Sequence, residues 1–275
     1  MTVLVHAKAD LAKARAALPG RVAVVPTMGA LHAGHLALVK RAKEVADSVI
    51  VTVFVNPLQF RPNEDLDTYP RTLDADLAMC EAEGVDVVFA PNVNEMYPDG
   101  REGLTTVHAG PDGEILEGAS RPGFFTGVLT VVSKLFHLTR PDAAVFGEKD
   151  FQQLAMVRRM ARDLDTGIEV VAVATDREPD GLARSSRNVY LSGADRAAAL
   201  AIPRAIAAAQ DAPDPLAAAR AVLAAEPGLD VDYVAVRSAD LGEAPDRGPA
   251  RILIAAKAGT TRLIDNAPVT VGDAR

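Results

Sequence analysis

Between residues 21 and 173, short runs of almost unbroken apolar residues alternate with amphipathic helical segments, and few architectures accommodate that alternation. The runs at 21–25, 48–55, 85–90, 143–146 and 168–173 are apolar nearly throughout, as strands are when both faces of their sheet are covered. The intervening segments have helical spacing. Residues 71–83 end at Gly84, a helix terminator, and 126–138 set Val128, Leu129, Val132, Leu135 and Phe136 on one face. A further helix buries Phe151, Leu154, Val157, Ala161 and Leu164 and turns Arg158, Arg159, Arg162 and Asp163 outward. The pattern predicts an α/β fold, a Rossmann-like doubly wound parallel sheet, over residues 1–175.

After residue 175 the texture changes to an acidic, glycine-containing loop and then to alanine-rich helices at 193–210 and 215–225. Strand-like runs follow at 231–237, 251–256 and 261–264. These elements suffice for a second, smaller α/β domain, 176–275, placed to close over an active site.

Composition removes several classes of function. A formal charge of -8 argues against general nucleic-acid binding, which relies on clustered Lys and Arg. No apolar run approaches the roughly 18 residues of a membrane span, so no membrane partner is expected. Cys80 is the only cysteine, which excludes an intrachain disulfide and a cysteine-rich metal cluster. Residues 1–10 lack the apolar core of a secretory signal, and the expectation is a cytoplasmic protein. In so acidic a chain, an anionic ligand needs a few well-placed cations, which directs attention to Lys149 and Arg187.

Four segments could carry chemistry. The first, Met28-Gly29-Ala30-Leu31-His32-Ala33-Gly34-His35, runs from a buried strand into a helix expected over 35–46. Open α/β sheets bind ligands beyond the carboxyl ends of their strands, and the amides of a following helix N-terminus favour phosphate. Gly29 and Gly34 permit close backbone approach. Two imidazoles three residues apart can donate to phosphoryl oxygens as charge develops there. Metal ligation is the weaker reading, because the remaining imidazoles, His6, His108 and His137, lie in no supporting motif.

The second segment, Gly147-Glu148-Lys149-Asp150, also follows a strand. Asp150 suits a helix N-cap, whereas Lys149 opposes the helix dipole unless an anion offsets it. Alone, the motif reads equally as a surface turn or a site. The third, Arg184-Ser185-Ser186-Arg187-Asn188, offers hydroxyls and a guanidinium fork to a departing phosphate, and reads equally as a polar linker with Ser186 capping a turn. The fourth is a pair of amides, Gln59 after the second strand and Gln153 one turn into the helix behind Lys149. Neutral amides orient an attacking carboxylate without the tight ion pair that would withdraw its electron density.

Taken together these segments resemble the pantothenate synthetase family, of the nucleotidyltransferase group that carries a His-x-Gly-His signature. The resemblance extends over nearly the whole chain and is densest in Pro26 to His35, Phe54-Val55-Asn56-Pro57-Leu58-Gln59-Phe60, Asp67-Thr68-Tyr69-Pro70-Arg71-Thr72, Gly147 to Gln153 and Ser185 to Asn188. It implies a ligase that condenses pantoate with β-alanine through a pantoyl adenylate, releasing AMP and pyrophosphate. It assigns ATP to Met28, Gly29, Ala30, Leu31, His32, Ala33, Gly34 and His35, to Gly147, Glu148, Lys149 and Asp150, and to Asp176, Arg184, Ser185, Ser186 and Arg187. His35, His32, Lys149, Ser185 and Arg187 are the expected catalytic set. Gln59 and Gln153 are expected to hold pantoate, with Gln59 also near β-alanine. Mg2+ would accompany ATP, with its direct ligands unassigned, and a homodimer is implied.

Three positions depart from the family pattern: Phe124 stands where His is usual, Asp176 where an apolar residue is usual, and Arg184 where Met is usual. A carboxylate at 176 is unfavourable beside phosphates, and Arg184 could offset it. The alternatives are another His-x-Gly-His adenylyltransferase, against which Gln59 and Gln153 argue, and a non-catalytic nucleotide-binding protein, which has no need of the full phosphate-transfer set.

Overall fold

A computed structural model describes residues 1–62 and 64–272. The chain divides into two compact units, one of residues 1–147 and 156–173, the other of 148–155 and 174–275.

The first unit is built on six parallel strands: β1 (Val3–Val5), β2 (Val22–Thr27), β3 (Ser48–Val53), β4 (Val87–Phe89), β5 (Ala143–Gly147) and β6 (Glu169–Val173). Their order across the sheet is β1-β4-β3-β2-β5-β6. From β2 the chain winds outward through β3 and β4, then returns to the other side of β2 to lay down β5 and β6. That reversal is a topological switch point, and it opens a crevice at the carboxyl ends of β2 and β5. Val22, Ala23, Val24 and Val25 of β2 and Ala143, Ala144 and Val145 of β5 are completely buried, which accounts for their unbroken apolar character.

Around the sheet lie α1 (Lys8–Ala17), α2 (Ala33–Val45), α3 (Leu73–Ala82), α4 (Val93–Met96), α5 (Glu117–Ser120), α6 (Phe124–Thr139) and α7 (Phe151–Asp163). The expected stripe of α6 is buried as a unit, Val128, Leu129, Val132, Leu135 and Phe136 all being inaccessible. The first five residues of α7 belong to the second unit and the rest to the first. β1 and α1 were not anticipated. Three residues are too few to show a period, and Leu11 is the single buried residue of α1.

The second unit carries α8 (Gly193–Ala199), α9 (Ala201–Gln210) and α10 (Pro215–Ala224), with an antiparallel sheet in the order β7 (Leu229–Arg237), β8 (Gly248–Ala258), β9 (Thr261–Val271). Ile202, Ala205, Ile206 and Leu223 pack with Ile252, Ile254 and Ala256 into one core. Two expectations change here. The helix anticipated over 193–210 is two helices meeting at Leu200, and the last strand runs on well past residue 264. Asp265 and Asn266 break the apolar alternation that would have revealed it, yet both are buried and hydrogen-bonded. Among the described residues no helix is long and apolar enough to cross a membrane.

Candidate active site

The loop leaving β2 at the switch point is where the two histidines lie, and its backbone is unusual. Gly29 has φ 83 and Ala30 φ 50, two consecutive residues in the left-handed region. Glycine bears this without cost, while Ala30 needs something to hold it there. That something is Asp76, in the first turn of α3 and 1% exposed. Its carboxylate accepts from the amides of Ala30 at 3.0 Å and Leu31 at 2.8 Å, and from the hydroxyl of Thr72 at 3.2 Å. A Cβ at position 29 would meet an Asp76 carboxylate oxygen at 2.9 Å, so Gly29 answers to close approach as well as to φ.

The helix that follows, α2, starts at Ala33, two residues before the start expected at His35. His32 is therefore its N-cap and His35 its third residue, and the two form a capping box in which the amide of His32 donates to Nδ1 of His35 at 3.3 Å. The rings lie with centroids 4.1 Å apart. Ala33 and Gly34 fill the first two helical positions, whose amides have no intrahelical carbonyl to bond. Half-buried imidazoles beside such amides form a donor-rich, anion-seeking surface.

Gln59 closes a short 3-10 turn, Pro57–Gln59, after β3. Asn56, 1% exposed, fixes this turn: its side-chain oxygen accepts from Leu58 N at 3.3 Å and from the Tyr97 hydroxyl at 2.7 Å, while Nδ2 donates to Gly127 O at 3.2 Å and to Gln59 Oε1 at 3.1 Å. With its oxygen so engaged, Gln59 presents its NH2 end, which lies 3.1 Å from the Met28 sulfur. α6 presses close beneath, since a Cβ at Gly127 would come within 2.1 Å of Leu58 O. Arg121 bonds Gln59 O at 3.0 Å and pairs with Glu64. Burial pushes the Glu64 carboxyl up, but hydrogen bonds and charge from Arg121, with Arg61, outweigh it and leave it below the usual carboxylate range. The Arg121 guanidinium also stacks 3.7 Å from the Phe124 ring centroid, so the aromatic at that departing position orients a neighbouring cation.

The sequence reading gave no role to Asp76, Asn56 or Gly127. Their work is to hold other residues, and the only signal lay in a polar side chain near a helix start or strand end for the first two and in a glycine inside a helix for the third.

In the second unit, β5 having ended at Gly147, residues Glu148–Asp150 form a 3-10 turn that runs directly into α7. Asp150 is the last residue of that turn, immediately before α7, and its carboxylate is 3.8 Å from the Lys149 ammonium. Gln153 sits half-buried one turn further on. Gln59 and Gln153 thus belong to different units.

The segment 176–190 is braced throughout. Arg184 donates to the Asp176 carboxylate at 2.5 Å, and its amide to Asp176 O at 2.9 Å, so the two departures from the family pattern neutralise each other. Ser185, in place of Ser186, caps the turn Ser186–Tyr190 and accepts from Arg187 N at 3.3 Å. Buried Asn188 donates to Glu178 at 2.8 Å and to Ala183 O at 3.1 Å. The Asn188 hydrogen bond, which outweighs burial, together with Arg196 holds the Glu178 carboxyl below its usual range. Arg177 forks onto Asp265 at 2.7 and 2.9 Å.

Cys80, fully buried in the first unit, has its thiol pushed up to about 11, by burial first and then by the charges of Asp76 and Glu81; it is a packing residue with no thiolate to offer near neutral pH.

The pantoate-beta-alanine ligase family model matches residues 3–268. The pantothenate synthetase of Nocardia farcinica (strain IFM 10152) is 58% identical over 268 residues, 96% of this chain and 84% of that one. That of Salinispora arenicola (strain CNS-205) is 57% identical over 277 residues, 98% of each. Among solved structures, the pantothenate synthetase of Thermus thermophilus superposes with a TM-score of 0.89 at 48% identity, covering 96% of this chain and 98% of that one. The pantoate-beta-alanine ligase of Francisella tularensis, solved with beta-gamma ATP and beta-alanine, gives 0.82 at 34% identity over 97% of both chains. With the histidine pair at the switch point and matches spanning both units, the chain belongs to the pantoate-beta-alanine ligase family.

Proposed function

We propose that the chain joins pantoate to β-alanine in two ATP-driven steps through a pantoyl adenylate. Ligation of these two acids is the activity of its family, and the chain is an enzyme, a pantoate-β-alanine ligase. The observation that carries the route is the histidine pair, set at a helix N-terminus on the crevice of the sheet and held there by Asp76.

In the first step a carboxylate oxygen of pantoate attacks the α-phosphorus of ATP and the bond to pyrophosphate breaks. In the second, the β-alanine amine attacks the acyl carbon, AMP leaves, and the nitrogen gives up its proton. Carboxylate and triphosphate repel each other, so the protein must align two anions and bear the charge that gathers on phosphoryl oxygens. Met28 to His35 is the main ATP segment. Within it the Ala30 and Leu31 amides are engaged by Asp76, so donation to phosphate falls to the amides of Ala33 and Gly34 and to the rings of His32 and His35.

Lys149, Ser185 and Arg187 bear charge on the transferring and leaving groups, and Gly147, Glu148, Asp150, Asp176, Arg184 and Ser186 complete the nucleotide contacts. Lys149 is 23% exposed and its pairing with Asp150 is long, so it can be surrendered to a phosphate. Gln59, presenting NH2, and Gln153 hold pantoate, and Gln59 also serves β-alanine.

Magnesium enters as MgATP, held chiefly by triphosphate oxygens and water. The donor set agrees: among the described residues no group of three or more His, Cys, Asp or Glu is arranged to hold a metal ion by itself. A cytoplasmic location and a homodimer complete the reading, and sedimentation tests the latter.

The decisive experiment supplies ATP, Mg2+, pantoate and β-alanine and measures AMP and pantothenate. AMP release that requires pantoate, with pantothenate appearing only when β-alanine is added, is the expected result. ATP binding without turnover in the presence of both acids would overturn the reading.

A further inference from the structure

The turn that carries Lys149 is clamped by two residues of the C-terminal sheet, far away in sequence. Asn266 on β9 donates through Nδ2 to the carbonyls of both Glu148 and Lys149, each at 2.9 Å. Arg251 on β8 donates to the Glu148 carboxylate at 2.9 Å, bonds Asn266 Oδ1 with another guanidinium nitrogen, and lies 3.8 Å over the Phe151 ring. Arg251 is 8% exposed and Asn266 5%. The pairing register sets Asn266 opposite Leu253, on the sheet face turned away from the helix-covered core residues Ile252 and Ile254.

Each bond has a definite effect on Lys149. One amide nitrogen shared between consecutive carbonyls fixes the peptide planes on both sides of the Lys149 Cα, and hence the direction in which its side chain departs. Arg251 meanwhile engages the neighbouring Glu148 carboxylate, which would otherwise compete with a phosphate for the ammonium. A buried guanidinium with a carboxylate, an amide and an aromatic face as partners is fully committed to this turn.

We infer that Asn266 and Arg251 are positioning residues for the adenylation step: they act through Lys149, aiming its ammonium at the triphosphate and keeping it from Glu148. The inference rests on the role given to Lys149 above.

The test is a double-mutant cycle of Asn266→Ala with Lys149→Ala in the full-length protein. Its readouts are ATP affinity by calorimetry, pantoate-dependent exchange of labelled pyrophosphate into ATP, and thermal melting. Expected is a loss of roughly 10- to 100-fold in exchange for Asn266→Ala in the parent background, as a displaced catalytic group produces. In the Lys149→Ala background the same substitution should change ATP affinity and residual exchange by less than about 2-fold, because the group through which it acts is gone. Equal losses in both backgrounds, or no loss in the parent, overturn the inference. Should Asn266→Ala not fold, Arg251→Lys, which keeps the charge and loses the fork, enters the same cycle with the same criteria. A parent protein that shows no pantoate-dependent exchange overturns the adenylation reading itself, whereas normal parent exchange with an additive cycle sinks only the positioning role.

Discussion

The histidine turn after β2 and the lysine turn after β5 both follow a parallel strand and both open a helix, yet they are held by different means. At the histidine turn one fully buried carboxylate grips two neutral backbone amides. The lysine turn is held by the buried amide of Asn266 on its carbonyls together with one ion pair, Arg251 with Glu148, and the segment 176–190 by pairs that remain partly in solvent, Arg184 with Asp176 and Arg196 with Glu178. A buried acceptor serving amides is costly to remove and is screened little by salt. Partly exposed pairs are individually weak and screened by salt. The histidine turn rests on a buried group, while the pairs of 176–190 are open to adjustment by ionic strength.

The sharpest way to test this division is His35→Ala. It should lower the adenylation rate by about 10²- to 10³-fold, as loss of one preorganised donor does, while costing only about 1 kcal/mol of stability through the capping box. Single-turnover pyrophosphate release and a melting curve measure the two together. A large loss of stability would make His35 a fold residue first.

Asp76→Ala should act the other way round. It leaves the Ala30 and Leu31 amides unsatisfied at a cost of about 2–4 kcal/mol, visible in chemical denaturation, and activity should fall with it. A variant of parental stability would erase the distinction between the two turns.

How far these turns could be read beforehand follows the same division. The strands β2, β3 and β5 were plain because burial on both faces writes continuous apolar runs, and the histidine motif was plain because its glycine, histidines and helix start are neighbours in the chain. What holds each turn was hidden. Asp76 lies 46 residues from Ala30, and Asn266 lies 117 from Lys149. Polar pairs so distant leave no period, and in β9 they disguised half of a strand. Ser185 and Ser186 were indistinguishable as caps by composition, and only the backbone separates them.

Gly127→Ala probes the packing that neither turn shares. A methyl group driven toward Leu58 O should cost about 1–3 kcal/mol and displace the Gln59 turn. Raised KM for pantoate, with ATP affinity little changed, is the expected outcome in steady-state kinetics, and an unchanged pantoate KM would detach Gln59 from that substrate.

The smallest effect concerns acid. Because Asn188 and Arg196 depress the Glu178 carboxyl in the folded protein, its stabilising contribution is complete above the ordinary glutamate value of about 4.3 and disappears as pH falls through the lower folded value. Hydrogen exchange between pH 6 and 3 should show 176–190 losing protection below that value, and protection unchanged down to pH 3 would remove Glu178 from the bracing of this segment.

The bond from the His32 amide to Nδ1 of His35 carries one more consequence. An imidazole nitrogen that accepts cannot hold the proton, so neutral His35 keeps it on Nε2. The neutral ring is then a donor at Nε2, so the start of the helix selects the tautomer of this imidazole as well as its place.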